Sequence, residues 1–375
     1  MNIKARTILN SRGEKTIQVF VNGFAGSAPS GKSTSRKEVK PFKKSAEKEA
    51  SWINNVLAKK LKNIEIRKFE DLEKIESLIR NLGGNSVVAL EFALIKAFKL
   101  ARPRSIPRPL GNVVGGGAHF KGKSTDFQEF LVLTRAESFL RSASINQAVY
   151  KLMHEELKKY KQFKDEKNDE NAWVIDLSNI EVLSLLKKVV DKVKKAAKVD
   201  IRIGLDVAAN SFYKNGYYYY RNFSKDIKNK KLTRKQQVEF IAKLIKDYNL
   251  YYIEDPLNEN DGKGFRTIKK KTNALVVGDD LTSTNLKYLK KNKFNINGII
   301  IKPNQIGSLI KMKEAVDYAK KNKITPIMSH RSGETLDNSI SYLASSFNIP
   351  IIKCGVTGKE RLAKIKELIH LEKVL

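Results

Sequence analysis

The sequence predicts an α/β chain in which a (β/α) barrel follows a smaller α+β domain, and three observations carry that prediction. From residue 199 onward six short apolar runs, VDIRIGLD, LYYIEDP, ALVVGDD, GIIIKPN, TPIMSHRS and IPIIKCG, bring up the side chains Asp206, Glu254, Asp279, Lys302, His330 and Lys353 at or near their ends. From Glu254 on, these residues fall 25, 23, 28 and 23 positions apart, about one strand and one helix each. Runs so rich in Ile and Val read as strands buried on both faces, and parallel neighbours need a crossover helix between them. Finally, ARPRSIPRPLG carries three of the nine prolines. That density marks a linker and puts the boundary near residue 107, giving an N-terminal capping domain over 1–107 and the barrel over 108–375.

The elements follow in order. Residues 1–25 read as strands: TIQVFVNG alternates, and NSRGEK before it is turn-like. Residues 26–38, GSAPSGKSTSRKE, form a polar loop of small residues. Helical stretches lie near 44–62, 69–81 and 86–101, and the last is apolar almost all round, so it should be buried. The barrel opens with a strand, a glycine-bearing loop (GGGAHFKGKSTD) and the strand QEFLVL. Helices near 136–160 and 178–198 come next, and Ser178 with Glu181 makes a capping box at the start of the second. FYKNGYYYYR reads as a small hairpin turning at Asn215-Gly216, and Thr233 with Gln236 caps the next helix. Strand and helix then alternate to the C-terminus.

Composition sets the outer limits. With 375 residues and 41% apolar content the chain can bury two cores. No stretch approaches the ~20 apolar residues of a membrane helix. Cys354 is the single cysteine, which rules out an intrachain disulfide or a cysteine metal cluster. MNIKARTILNSRGEK has no apolar signal region, so a cytoplasmic location is the expectation. The net charge of +32 comes from lysine runs at 187–198, 225–235 and 269–271. They read either as a nucleic-acid footprint or as solvated helix faces. Their scatter, without a recognition helix or finger, favours solvated faces, with nucleic acid bound at most weakly and without sequence preference. The same field would draw in a small anionic substrate.

In a barrel of this kind the charged residues at strand ends gather on one rim, the face on which active sites sit. Three carboxylates there, Asp206, Glu254 and Asp279, repel one another. A hard divalent cation relieves that, and an all-oxygen ligand set favours Mg²⁺. The bland alternative has each acid capping a helix or pairing with a lysine. Lys302 and Lys353 sit inside apolar runs, so burial near other cations should lower their pKa and make one of them a usable base; a structural ion pair is the alternative. Arg331 and Ser332 follow His330 and offer donors for phosphate or carboxylate. His119 lies in the glycine-bearing loop with Gln128 and Glu129 close behind. His154 and His370 sit in helical stretches and read as structural. There is no GxxxxGK[ST] loop.

These residues, with PSGKST, LGGNS, GGGAH, GLDVAANSFY, GDDLTSTN, IKPNQIGS, SHRSGET and ERLAKI in one order, make the chain resemble the enolase family nearly end to end. The resemblance implies an enolase-type barrel and reversible dehydration of 2-phosphoglycerate to phosphoenolpyruvate with two Mg²⁺ per active site. Asp206, Glu254 and Asp279 match the ligands of the first ion, and Ser33 matches a ligand of the second. Lys302 matches the base that takes the C2 proton, and Glu170, in NDENA, the acid that helps the C3 hydroxyl leave. Lys353 matches the residue that holds the substrate carboxylate, and Arg331 and Ser332 match phosphate contacts. His119, Gln128, Glu129 and His330 match further active-site positions, and a homo-oligomer is implied. Three features depart from the family pattern: Asn171-Ala172 stands where it has a glycine pair, Lys32 replaces an alanine, and the region between Ser33 and Gly83 is short. A relative acting on another hydroxy acid is the alternative activity. A basic nucleic-acid-binding protein with a retired barrel is the alternative class.

Overall fold

The computed structural model describes residues 1–32, 35–62, 64–221 and 231–375. Strands β1 (Ile3–Leu9), β2 (Lys15–Val21) and β3 (Phe24–Ser27) form an antiparallel sheet in that order. The first turn is closed by Asn10, whose side-chain oxygen accepts from the backbone N–H of Arg12 (2.9 Å) and Glu14 (3.0 Å). The second is Asn22-Gly23, with φ of 50° and 87°; two positive φ values in sequence match the right-handed twist of a hairpin. The helix Gly84–Ala97 packs on this sheet and is buried at every position from Gly84 to Ile95, as its all-round apolar pattern predicts. Gly26 permits that approach, because a Cβ there would lie 2.2 Å from the carbonyl oxygen of Ala89.

The barrel strands are β4 (Arg108–Gly115), β5 (Glu129–Arg135), β6 (Asp200–Asp206), and, after a small sheet of β7 (Tyr213–Lys214), β8 (Tyr217–Tyr219) and β9 (Lys231–Thr233), β10 (Tyr252–Glu254), β11 (Leu275–Gly278), β12 (Gly298–Ile301), β13 (Thr325–Ser329) and β14 (Ile351–Lys353). They close in the order β10-β11-β12-β13-β14-β4-β5-β6. From β6 through β10 to β14 and on to β4 the pairing is parallel, with helices between the strands as the repeat predicts. β5 differs: it runs antiparallel to both β4 and β6. Residues 116–128 hold one 3₁₀ turn and no crossover helix, so the chain returns directly, as in a hairpin. That reversal brings the start of β5 to the rim where the other strands end, and Glu129 pairs in register with Asp206.

Leu110, Leu131, Leu133, Tyr252, Val277, Ile300, Ile327 and Ile351 fill a core of their own, each contributing on the order of 1.5–3 kcal/mol by burial. Both predicted capping boxes are present, at Ser178 with Glu181 and at Thr233 with Gln236. The hairpin at Asn215-Gly216 is present as well, with φ of 49° and 84°.

Candidate active site

The barrel rim brings the strand-end residues together. Asp206 and Glu254 are the last residues of β6 and β10, Lys353 is the last of β14, and Asp279, Lys302 and His330 directly follow β11, β12 and β13. Lys353 Nζ donates to Asp206 Oδ2 at 2.9 Å and Glu254 Oε2 at 2.7 Å, and lies 3.2 Å from Glu129 Oε1. Lys302 pairs with Asp279, which also accepts from Gln305 Nε2 at 2.9 Å. Gln128 Nε2 donates to Asp206 Oδ2 at 3.1 Å.

The lysines correct the sequence-based expectation. Burial does push both pKa values down, but the facing carboxylates outweigh it. Asp279 holds Lys302 above the usual lysine range, and Asp206, Glu129 and Glu254 hold Lys353 well above it. A lysine wedged between acids is a cation, and becomes a base when those acids are engaged elsewhere. Asp279 is correspondingly lowered: burial works against its charge, and Lys302 more than offsets that. Burial and the Asp206 charge push Glu254 up to about 8.

Across the cavity His119, Glu129 and Glu170 bring ligand atoms within 4.8 Å of one another. Glu170 lies 3.6 Å from His119 Nδ1 and 3.5 Å from His330 Nε2, and accepts from Asn112 Nδ2 at 3.2 Å. Two buried carboxyls this close share one proton. Burial and the Glu170 charge hold Glu129 well above the usual range. Burial also acts on Glu170, but His330, His119 and Arg361 hold it well below.

At the third corner Arg331 grips Glu38, with Nη1–Oε2 at 3.0 Å and Nη2–Oε1 at 3.1 Å, and also donates to Asn304 Oδ1 at 3.1 Å. Ser332 Oγ accepts from Arg12 Nη1 at 2.8 Å and from the Lys32 N–H at 3.0 Å. The Lys32 ammonium reaches Asp169 Oδ2 at 2.7 Å. The 26–38 loop is stitched to the rim by two backbone bonds between Ser30 and Gly333, at 2.8 and 2.9 Å. Ser33 lies outside the described residues. Arg12, Glu38, Asp169 and Arg361 escaped the sequence reading. Each depends on contacts between distant segments, and no local spacing signals them.

Gly31, Lys32, Asp206, Asp279 and the residues around them enclose a cavity of ≈ 20 Å³, room for about one water molecule. The lysine–carboxylate pairs fill the space between the acids. A larger, open cavity of ≈ 1070 Å³ lies at the opposite mouth, by the starts of β6, β10 and β11. There Lys187 and Lys243 pair with acids one turn on in their own helices, Lys194 and Lys271 with acids of a neighbouring strand and helix, and among the described residues the convergent carboxylates of the rim have no counterpart.

The rim residues suit a metal. Glu254 Oε1, Glu129 Oε2 and Gln128 Oε1 are buried without a hydrogen-bond partner among the described residues, and buried polar oxygens of this kind call for a cation or water. Asp255, Asp279 and Asp280 also bring oxygens within 4.8 Å; burial and the Asp279 charge push Asp280 up to about 7. Among the described residues, His119–Glu129–Glu170 and Asp255–Asp279–Asp280 are the sets close enough to hold a metal as they stand; Asp206, Glu254 and Asp279 do not converge that tightly, because Lys353 and Lys302 lie against them.

Residues 103–375 match the family model described as enolase, C-terminal TIM barrel domain. The whole chain is similar to curated enolases. It is 36% identical to that of Methanothermobacter thermautotrophicus, covering 99% of this chain and 95% of the relative. It is 36% identical to that of Thermoplasma acidophilum, with 100% and 98% covered, and 37% identical to that of Picrophilus torridus, with 99% and 97% covered.

The chain belongs to the enolase family.

As an enolase-family member it is short: the alignments to these relatives run over 400 to 404 positions against 375 residues here. The structure places two of its departures. Asn171 takes φ of 62°, a left-handed conformation that asparagine tolerates better than other side chains, so it can stand in for glycine. Lys32 does not extend toward Arg331 and Ser332 but ties down Asp169, the neighbour of Glu170.

Proposed function

We infer that this chain catalyses the reversible dehydration of 2-phosphoglycerate to phosphoenolpyruvate, the hydro-lyase reaction of a phosphopyruvate hydratase and a step of glycolysis and gluconeogenesis. The observation that carries this is the meeting, in one cavity of an enolase-family chain, of paired carboxylates, two lysines and a proton-sharing Glu129–Glu170 pair. We propose that Asp206, Glu254 and Asp279 hold one Mg²⁺ and that Ser33 contributes to a second. Bound there, the two ions would stabilise the charge that builds on the substrate carboxylate as its α-proton leaves.

The chain's own residues supply the rest. Lys302, freed from Asp279, takes the C2 proton. The C2–H electron pair becomes the C2=C3 bond, the C3–O bond breaks, and the hydroxyl leaves as water with the proton of the Glu129–Glu170 pair, Glu170 facing the leaving group. Lys353, freed from its acids, holds the substrate carboxylate. Arg331 takes the phosphate in place of the Glu38 carboxylate, and Ser332, which accepts from Arg12, donates its own hydroxyl proton to it. His119, His330 and Gln128 complete the wall.

The same reading divides the chain into a domain over 1–107 and a barrel over 108–375, with a homo-oligomer and a cytoplasmic location as further expectations. No helix among the described residues is long and apolar enough to cross a membrane. The test is a direct assay of phosphoenolpyruvate formation from 2-phosphoglycerate with and without Mg²⁺. Metal-dependent turnover is expected. Turnover of another hydroxy acid with none of 2-phosphoglycerate would favour the alternative substrate.

A further inference from the structure

We propose that Trp173, which lies outside the cavity, is the positioning residue for Glu170, acting through an aromatic slot built by Tyr150, His154 and Phe163. The proposal rests on the dehydratase reading above and deepens it. Glu170 sits on a connection rather than on a strand, between the helices Phe139–Leu157 and Asn179–Ala197. A glycine pair after it would leave that connection supple. Here its place is fixed from both sides.

Trp173 is laid along the barrel wall: its N–H donates to the Val113 carbonyl at 3.1 Å, and its carbonyl accepts from Gly115 at 2.9 Å. Its ring stacks on His154, with centroids 4.1 Å apart and planes at 12°, and on Tyr150 at 4.8 Å and 23°. Phe163 meets it edge-on at 5.9 Å, and the Lys167 ammonium lies 4.5 Å from the ring centroid. The indole Nε1 donates to the Tyr150 carbonyl at 3.1 Å, and the Tyr150 hydroxyl donates back to the Asn171 carbonyl at 2.8 Å. Inside this clasp Asn168 Oδ1 accepts from the N–H groups of Glu170 and Ala172, both at 3.0 Å.

The Glu170 backbone is thus held by Asn168, and the residue after it by Tyr150, which Trp173 in turn anchors. Lys302 lies on another strand end, and among the described residues no contact of the slot reaches it. A loss of the slot should therefore displace the group at C3 and spare the group at C2.

The experiment follows exchange of the C2 proton of 2-phosphoglycerate with solvent deuterium, and phosphoenolpyruvate formation, in the full chain with Mg²⁺. For Trp173→Ala we expect dehydration to fall roughly 100-fold, the scale of a 1 Å misplacement of a reacting group, with KM and C2 exchange within about threefold of the parent. Trp173→Phe, which keeps the stack, should recover most of the rate. Tyr150→Phe removes one hydroxyl from a slot that otherwise stays packed. It should show the same split at a smaller size, and it keeps the test open if Trp173→Ala does not fold. Equal loss of exchange and dehydration, or loss of neither in both variants, would overturn the proposal. Failure of the parent chain to turn over 2-phosphoglycerate would instead remove the functional reading beneath it.

Discussion

Replacing Lys302 by alanine probes the base and the metal ligand together. The Lys302 and Asp279 side chains are 12% and 14% exposed, so deleting the cation leaves a largely buried carboxylate with, among the described residues, Gln305 as its remaining side-chain donor. Deleting one partner of a buried pair costs roughly 3–5 kcal/mol. With Gln305 retained, about 3 kcal/mol is the expectation for the metal-free protein. At roughly 2 °C per kcal/mol for a domain of this size, Tm should drop by roughly 6 °C. Added Mg²⁺ returns a cation to Asp279, so most of that deficit should vanish in a melt with metal. Activity behaves differently. Loss of a general base removes about 10²–10⁴ in rate, and metal does not restore it. C2 exchange should fall below detection while metal binding persists. Retained exchange would reassign the base, with Lys353 next in line. A Tm deficit unmoved by Mg²⁺ would remove Asp279 from the ligand set.

Three further outcomes follow from the same geometry. Glu254, pushed up to about 8, carries a proton at neutral pH, and a cation binds its ionised form. Metal affinity should therefore rise by about tenfold per pH unit below that value and flatten above it, with proton release visible by calorimetry in buffers of different ionisation enthalpy; a flat profile counts against Glu254 as a ligand. Lys32→Ala removes a pair in which both side chains are 25% exposed, worth about 0.5–1 kcal/mol; because that pair ties down Asp169 beside Glu170, kcat for dehydration should fall about two- to fivefold with KM little changed. A large loss of kcat in that variant would mean that Lys32 acts on the chemistry itself. Finally, with a net charge of +32 and screening over ~8 Å at physiological ionic strength, added salt should raise KM for 2-phosphoglycerate more than it lowers kcat. Nucleic acid retained at low salt should be released near physiological salt, and tight sequence-selective binding there would revive the nucleic-acid reading.

By itself the sequence determined the local elements and the rim. The period of the apolar runs located the strands that carry Asp206, Glu254, Asp279, Lys302, His330 and Lys353. Ser178 with Glu181, and Thr233 with Gln236, located helix starts, because strand alternation and capping are read over a few neighbouring residues. Tertiary structure decided the rest. β5 is antiparallel because the segment before it holds no crossover helix, and that reversal sets Glu129 against Asp206. Lys302 and Lys353 are held protonated because barrel closure puts acids within 3 Å of their ammonium groups, and no composition or spacing reports such a distance. Glu38 on Arg331, Lys32 on Asp169 and the Trp173 indole on Tyr150 and His154 belong to the same class. Each joins residues far apart in the chain or on separate elements, so its electrostatics and packing came into being when the fold closed.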